Sequence, residues 1–384
     1  MKKQVLVIKM TPYNGLISSN MRMLAMVKGL LELGWQVDLL TLKPGNVTQL
    51  NDMSDYPFMD QVRIITAGQN ASYERLTASA DKGIKRKLLP YLRKIYHRLS
   101  LYDHTAKIAS GLSISLLPQQ SYDCVISVSD PKTSHIALQT LRRQGLQCGR
   151  IIQYWGDPLY GDISQKALFP AFYLKLQERR LMRCTDRIVY TSPFTLKTQR
   201  QVYPDFADQM TFVPTANNAC KEYPDTNNEL YTVGYYGAYT SAIRDLKPLY
   251  DAFADLKGEA RLNLVGNSDI VFEETENVMI RQRGVVKELE EQTDLFVCVL
   301  NRLGTQIPGK LYYLAATNRP VLVVLDGDQQ EEMLSYLDSF QRYITCINTP
   351  ESICRAIREI KQSSQKWQPC PLLEPAAIVK RMLD

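Results

Sequence analysis

The 384-residue chain has no long apolar run. The longest unbroken ones, such as Leu295–Leu300 and Val321–Leu325, fall far short of the ~20 residues that a membrane-spanning helix needs. Near the start, Val5–Ile8 is an apolar stretch of four residues between Lys3 and Lys9. A secretory leader needs about 7–15, so none is expected. Histidine is scarce, at three residues, and the eight cysteines form no C-x-x-C pair. A Cys/His zinc site is therefore not expected, and scattered thiols fit a reducing cytoplasm better than a disulfide framework. The excess of positive charge is small, +6 at pH 7, which suits an anionic ligand but not a nucleic-acid coat. Neither a G-x-G-x-x-G dinucleotide fingerprint nor a G-x-x-x-x-G-K-[ST] phosphate loop is present.

What is present is alternation. Short Val/Ile/Leu runs are followed by stripes of helical period, the pattern of parallel sheets covered by helices. Strands are predicted at Val5–Met10, Val37–Leu42, Val62–Ile65, Cys124–Val128, Ile151–Tyr154, Ile188–Thr191 and Met210–Val213. A second series follows at Tyr231–Tyr236, Arg261–Val265, Val278–Ile280, Leu295–Leu300 and Pro320–Leu325. Helices are expected after Ser18/Ser19 up to Gly34, and at Ala242–Leu256, Lys287–Gln292, Pro308–Thr317 and Gln329–Leu337. The polar Asn217–Glu229 stretch reads as a linker. This gives an α/β class with two Rossmann-like domains, residues 1–222 and 223–365, and a segment 366–384 ending in a helix that returns to the first domain. A chain longer than roughly 250–300 residues is expected to split in this way.

In such sheets ligands bind beyond the carboxyl ends of strands. Six segments there or nearby carry candidate chemistry. The loop Thr11–Asn20 offers Gly15 for close backbone approach, or is a plain connection. Ser127–His135 offers His135 as a proton shuttle, or as a first-turn helix residue. Gln153–Pro158 offers Asp157, held by the following proline, with Trp155 as a face for a sugar; alternatively Asp157 only starts a turn. Val233–Asp245 ends a strand at Gly237 and places Arg244 in the first turn of the next helix, where a guanidinium fork could grip phosphate or pair with Asp245 or Asp251. Thr305–Val321 places Lys310 at another helix start, so that Arg244 and Lys310 could grip one diphosphate. Lys82–Arg98 is a basic amphipathic stripe that reads equally as a contact with an anionic membrane surface or as an ordinary surface helix.

Taken in order, these segments resemble bacterial glycosyltransferases of family 4, with the GT-B fold. The likeness runs from Gly15 and Leu33–Val37, through Ser129–His135, Trp155–Pro158, Glu178–Ser192 and Val213–Asn217, to Tyr236–Gly237, Leu264–Gly266, Thr293–Leu295 and Pro308–Val321. The resemblance implies two domains facing across a cleft. It also implies retaining transfer of a sugar from a nucleotide-diphosphate sugar to a glycan or polyprenyl-linked acceptor of surface polysaccharide, on the cytoplasmic face. No cofactor and no metal are implied; cations and helix ends would stabilise the departing diphosphate. Gly15, Gly237, Arg244, Gly266, Lys310 and Tyr313 would lie on the donor side, and Asp157 and His135 on the acceptor side. Tyr313 stands where the family usually has a ribose-binding Glu, and Thr305 or Gln306 near where another Glu approaches the sugar. The alternatives are a degenerate scaffold that only binds a partner, which Tyr313 favours, and a GT-B nucleotide-sugar epimerase.

Overall fold

The computed structural model describes residues 2–45, 49–68, 95–96, 98–163, 168–217, 220–282 and 286–384. It divides into two compact units, Met1–Thr215 with Pro375–Asp384, and Ala216–Glu374. Most of the basic stripe, Lys82–Lys94, lies outside the described residues.

In the first unit β1 (Gln4–Ile8), α1 (Ser18–Glu32), β2 (Gln36–Leu42) and β3 (Arg63–Ala67) are followed by α2 (Ala106–Ser110), β4 (Ser121–Val128), α3 (Thr133–Arg143) and β5 (Gln147–Trp155). The chain continues through α4 (Ala171–Met182), β6 (Arg187–Tyr190), α5 (Pro193–Val202) and β7 (Met210–Phe212). All seven strands are parallel, in the order β3-β2-β1-β4-β5-β6-β7. The reason is visible in the pattern: strands buried on both faces read as continuous aliphatic runs, and Val5–Ile8 is fully buried. Gly34, at φ +81°, ends the approach from α1 to β2 as a left-handed residue that glycine adopts without strain.

The second unit repeats the plan with β8 (Tyr231–Tyr236), α6 (Lys247–Asp255), β9 (Ala260–Val265), β10 (Val278–Arg281), α7 (Lys287–Glu291) and β11 (Leu295–Val299). It closes with α8 (Lys310–Leu314), β12 (Val321–Leu325), α9 (Gln330–Asp338), β13 (Ile344–Ile347) and α10 (Pro350–Gln362). Six parallel strands stand in the order β10-β9-β8-β11-β12-β13. Its core packs Phe253 and Leu249 of α6 and Ile353 and Ile357 of α10 onto Val233, Leu262 and Val324. The last helix, α11 (Pro375–Leu383), belongs to the first unit and crosses α1 closely. A Cβ on Gly29 would lie 2.3 Å from the Pro375 carbonyl oxygen, so the glycine inside α1 buys this crossing despite its low helix propensity.

Several expectations are corrected. β13 and α10 were not foreseen, although Ile353, Ile357 and Ile360 make a clear buried stripe. The helix expected from Ala242 starts at Lys247, with Pro248 in its first turn; a ring without an N–H fits there and not deeper in a helix. Arg244 therefore lies in the preceding turn, where its own N–H donates to Thr240 O (2.8 Å). The helix expected over Pro308–Thr317 is confined to Lys310–Leu314. The polar Asn217–Glu229 stretch does not hang free over its described part. Lys221 N donates to Ala316 O (2.9 Å), and Asn318 exchanges hydrogen bonds with the Tyr223 backbone at 2.9 Å each way.

Candidate functional site

In each sheet the strand order reverses at one place: between β1 and β4 in the first unit, and between β8 and β11 in the second. Beyond the carboxyl ends of those strands the flanking connections diverge and leave a crevice. The candidate residues gather at both places, and each is described within its own unit.

In the first unit the chain leaves β1 through Lys9, which is completely buried. Its Nζ donates to the Asp130 carbonyl, beyond the end of β4. Arg22 of α1 donates to the Ser129 carbonyl and lies with its guanidinium 5.4 Å from the Tyr154 ring centroid. Lys132 pairs with Asp130 and, at 3.5 Å, with Asp162. Asp157 follows β5 in this company. Gly156 before it admits Arg22: a Cβ there would lie 2.3 Å from Arg22 Nη1. The electrostatics separate these groups. Burial, and then the Arg22 charge, holds Lys9 well below its ordinary value. Burial opposes the charge on Lys132, but Asp130, Asp162 and Asp157 outweigh it and raise its pKa. Asp130 is held low because Lys132 and Arg22 overcome its burial. Asp157 is pushed up to about 7, first by burial and then by Asp130, against the pull of Lys132. A carboxyl poised near neutrality among fixed charges can take up or release a proton.

That shift has a consequence for stability. A carboxyl whose pKa is raised on folding contributes most below its unfolded value, and the contribution is lost as pH climbs through the folded value. For Asp157 the window runs from 3.8 to about 7. Asp157→Asn removes the titration, so the stability of the variant relative to the parent is expected to rise across that window by up to about 4 kcal/mol. Thermal melts of both proteins from pH 4 to pH 8 check this; parallel curves would refute it.

His135 is brought to the same region but is fully enclosed. Its Nδ1 is 2.7 Å from Ser127 Oγ, and its ring stacks on Trp155 at 4.3 Å and 26°. Burial pushes its pKa down to about 3, so the imidazole stays neutral near pH 7 and is no proton shuttle there. Trp155 is likewise buried, with Nε1 donating to Gln153 Oε1 (3.1 Å). The expectation that it offers a face to a sugar is corrected: it is a wall behind His135. Gly15 is buried in its loop, and its carbonyl accepts from Asn20 Nδ2 (2.9 Å) and Asn51 Nδ2 (3.1 Å).

Sequence reasoning missed four residues here. Asn20 also reaches Pro12 O (2.6 Å) and receives the Thr11 hydroxyl (2.9 Å), so it shapes the loop around Gly15. Lys9 had a visible signal, a charge closing a run of buried aliphatics. Arg22 had none. Glu178 of α4 is fully buried and accepts from the N–H groups of Leu159 (2.6 Å) and Tyr160 (3.0 Å) and from Tyr203 OH (2.7 Å). It ties down the segment just after Asp157.

In the second unit β8 ends at Tyr236 and β9 at Val265, and a glycine follows each, Gly237 and Gly266. Gly237 has φ +150°, and its N–H donates to Val265 O (2.8 Å). A Cβ on Gly266 would stand 2.0 Å from Gly237 O. Two glycines thus let two strand ends meet backbone to backbone. Around them lie two cations. Lys310 Nζ lies 3.3 Å from the centroid of the Tyr235 ring, is shielded from solvent, and has no hydrogen-bond partner among the described residues. Arg244 donates from Nε to Asn301 Oδ1 (2.9 Å) and from Nη1 to Ala238 O (3.0 Å), the carbonyl to which the Tyr235 hydroxyl also donates (3.5 Å), so its charge lies near that hydroxyl. Both cationic groups therefore meet at one tyrosine. Burial, with the Arg244 charge adding to it, holds Lys310 well below its ordinary pKa. An anion at this place would relieve both the missing hydrogen bond and the like-charge repulsion. Tyr313 is half-buried on α8, one turn beyond Lys310. Among the described residues no group of three or more His, Cys, Asp or Glu side chains is placed to hold a metal ion, and no helix is long and apolar enough to cross a membrane.

No family model matches the chain, and no curated protein matches it in sequence. Solved structures match it over its whole length. Sucrose-phosphate synthase from Thermosynechococcus elongatus is 14% identical, with a TM-score of 0.56 over 100% of this chain and 95% of that one. A glycosyltransferase from Rickettsia africae is 11% identical, with a TM-score of 0.53 over 99% and 92%. An α,α-trehalose-6-phosphate synthase from Burkholderia multivorans is 11% identical, with a TM-score of 0.54 over 100% and 94%. At such identities the likeness is one of fold: this chain resembles the GT-B glycosyltransferases, with two Rossmann-like α/β domains.

Proposed function

We propose that the protein is a glycosyltransferase that takes a nucleotide-diphosphate sugar as donor. The observation that carries this reading is the pair Arg244 and Lys310, two cations beside Tyr235 beyond the switch point of the second sheet, one of them buried without a hydrogen-bond partner among the described residues. A diphosphate answers that arrangement. In the reaction the bond from the anomeric carbon to the diphosphate oxygen breaks, and the acceptor oxygen bonds to that carbon on the same face, which keeps its configuration. The electron pair leaves with the diphosphate, whose growing charge Arg244 and Lys310 neutralise. The acceptor proton passes to the Asp157 carboxylate. Its pKa near 7 suits that task at neutral pH. Gly237 and Gly266 leave the backbone open on the donor side, Gly15 supplies the loop after β1, and His135, backed by Trp155, acts as a positioning residue through Ser127. Retention of anomeric configuration, independence from a bound metal, a family 4-like hexosyltransferase type and a glycan or polyprenyl-linked acceptor of surface polysaccharide on the cytoplasmic side are part of this proposal. They rest on the resemblance read from the sequence. The Tyr313 position supports a second reading, a scaffold that binds a nucleotide sugar without turning it over.

A panel of nucleoside-diphosphate sugars tests both. Calorimetry is expected to find at least one that binds, and slow release of its nucleoside diphosphate is expected on long incubation. Binding without release by any donor or with any acceptor favours the scaffold. Failure of every donor to bind overturns both readings.

A further inference from the structure

We propose that the outer face of α4, with the segment beside it, docks on an anionic lipid bilayer. The inference goes beyond the proposed reaction and uses neither its donor nor its acceptor. Phe172 is 73% exposed and Leu176, one turn on along α4, is also exposed. Just before the helix Leu168 is 71% exposed, and its N–H donates to the Arg98 carbonyl (2.9 Å). That bond brings in a second exposed pair, Leu99 at 70% and Ile95. Large apolar side chains standing singly in water are ordinary; five on two adjoining segments mark a contact surface.

The charge around them names the partner. Arg98, Arg180 and Arg183 are exposed, and Arg179, also exposed, is paired with Asp205. Lys175 lies along the same helix, with Nζ 4.5 Å from the Tyr160 ring centroid. The one acidic residue of α4, Glu178, is turned inward to Leu159, Tyr160 and Tyr203 and is fully buried. The helix thus has a buried polar anchor on one side and leucine, phenylalanine and arginine on the other. A second copy of the chain docking by two-fold symmetry would set this basic rim against itself. Acidic headgroups instead offer opposite charge at the level of the arginines and hydrocarbon below it for Leu168, Phe172 and Leu99.

Vesicle sedimentation tests the proposal. The protein is expected to bind vesicles that contain phosphatidylglycerol, to bind phosphatidylcholine vesicles far more weakly, and to be released by salt. Leu168→Ser/Phe172→Ser/Leu176→Ser is expected to weaken binding about tenfold or more, and Arg180→Glu/Arg183→Glu to abolish the preference for acidic lipid. All these side chains are exposed, so unchanged melting temperatures will show that the fold is intact. Absence of binding, indifference to headgroup charge, or a triple variant that binds like the parent overturns the proposal. So does a dimer in analytical ultracentrifugation that the triple variant abolishes, which would give the face to a second copy. None of these results touches the nucleotide-sugar reading, which is decided by donor binding in the absence of lipid.

Discussion

Replacing Arg244 and Lys310 together by alanine is expected to raise the Kd of a nucleoside diphosphate by about a hundredfold to ten-thousandfold. Hydrogen bonds to charged groups contribute about 1.5–3 kcal/mol each, and two of them amount to about two to four factors of ten. The parent protein has a further signature. Before ligand arrives, burial and the nearby Arg244 charge hold Lys310 below its ordinary pKa. A phosphate oxygen beside Nζ removes both disadvantages and draws a proton onto the amine. Binding is therefore expected to take up protons increasingly as pH rises toward the ordinary lysine range, and its calorimetric enthalpy there to change with the ionisation enthalpy of the buffer. Lys310→Ala removes that dependence. Arg244→Ala keeps part of it, because one like charge is gone and Lys310 is already more protonated. A change in Kd below about threefold in the double variant would remove the phosphate assignment.

The parts of the fold that were legible in the sequence are those governed by period and by punctuation. Tyr231–Tyr236 was read with the bounds it has, because a buried parallel strand leaves a short aliphatic and aromatic run between polar stretches. Arg244 and Lys310 were found together because each follows a strand end, and a parallel sheet sends such loops to the same edge. The start of α6 was misread since an amphipathic stripe shows which face is buried but not which turn comes first; Pro248 decided that. The charged cluster of the first unit could not be assembled from the sequence. Lys9, Arg22, Asp130 and Asp157 come from four segments spread over nearly 150 residues, and no local pattern records that they share one charged cluster. Trp155 was misassigned for the same kind of reason. An aromatic ring reads alike whether it awaits a sugar or backs a buried imidazole, and only the 4.3 Å stack on His135 separates the two.

Gly266→Ala is the single substitution expected to do most damage to the donor side of the second unit. A methyl group there would sit 2.0 Å from Gly237 O, 2.6 Å from Gly237 C and 3.2 Å from Ala238 N. All three are backbone atoms, so no rotamer change relieves the clash and the ends of β8 and β9 must part. Overpacking of this kind costs about 1–3 kcal/mol or more, and here the displaced residue is the one beside Lys310, since a Cβ on Gly237 would lie 3.3 Å from Lys310 Nζ. Stability and diphosphate affinity are therefore expected to fall together. Gly258→Ala is the control: at φ +77° it carries backbone strain but meets nothing within 4 Å. It should cost about 1 kcal/mol of stability and leave diphosphate binding unchanged. If Gly266→Ala instead melts and binds like the parent, the two strand ends have room that their geometry denies, and the site around Lys310 is not held by this contact.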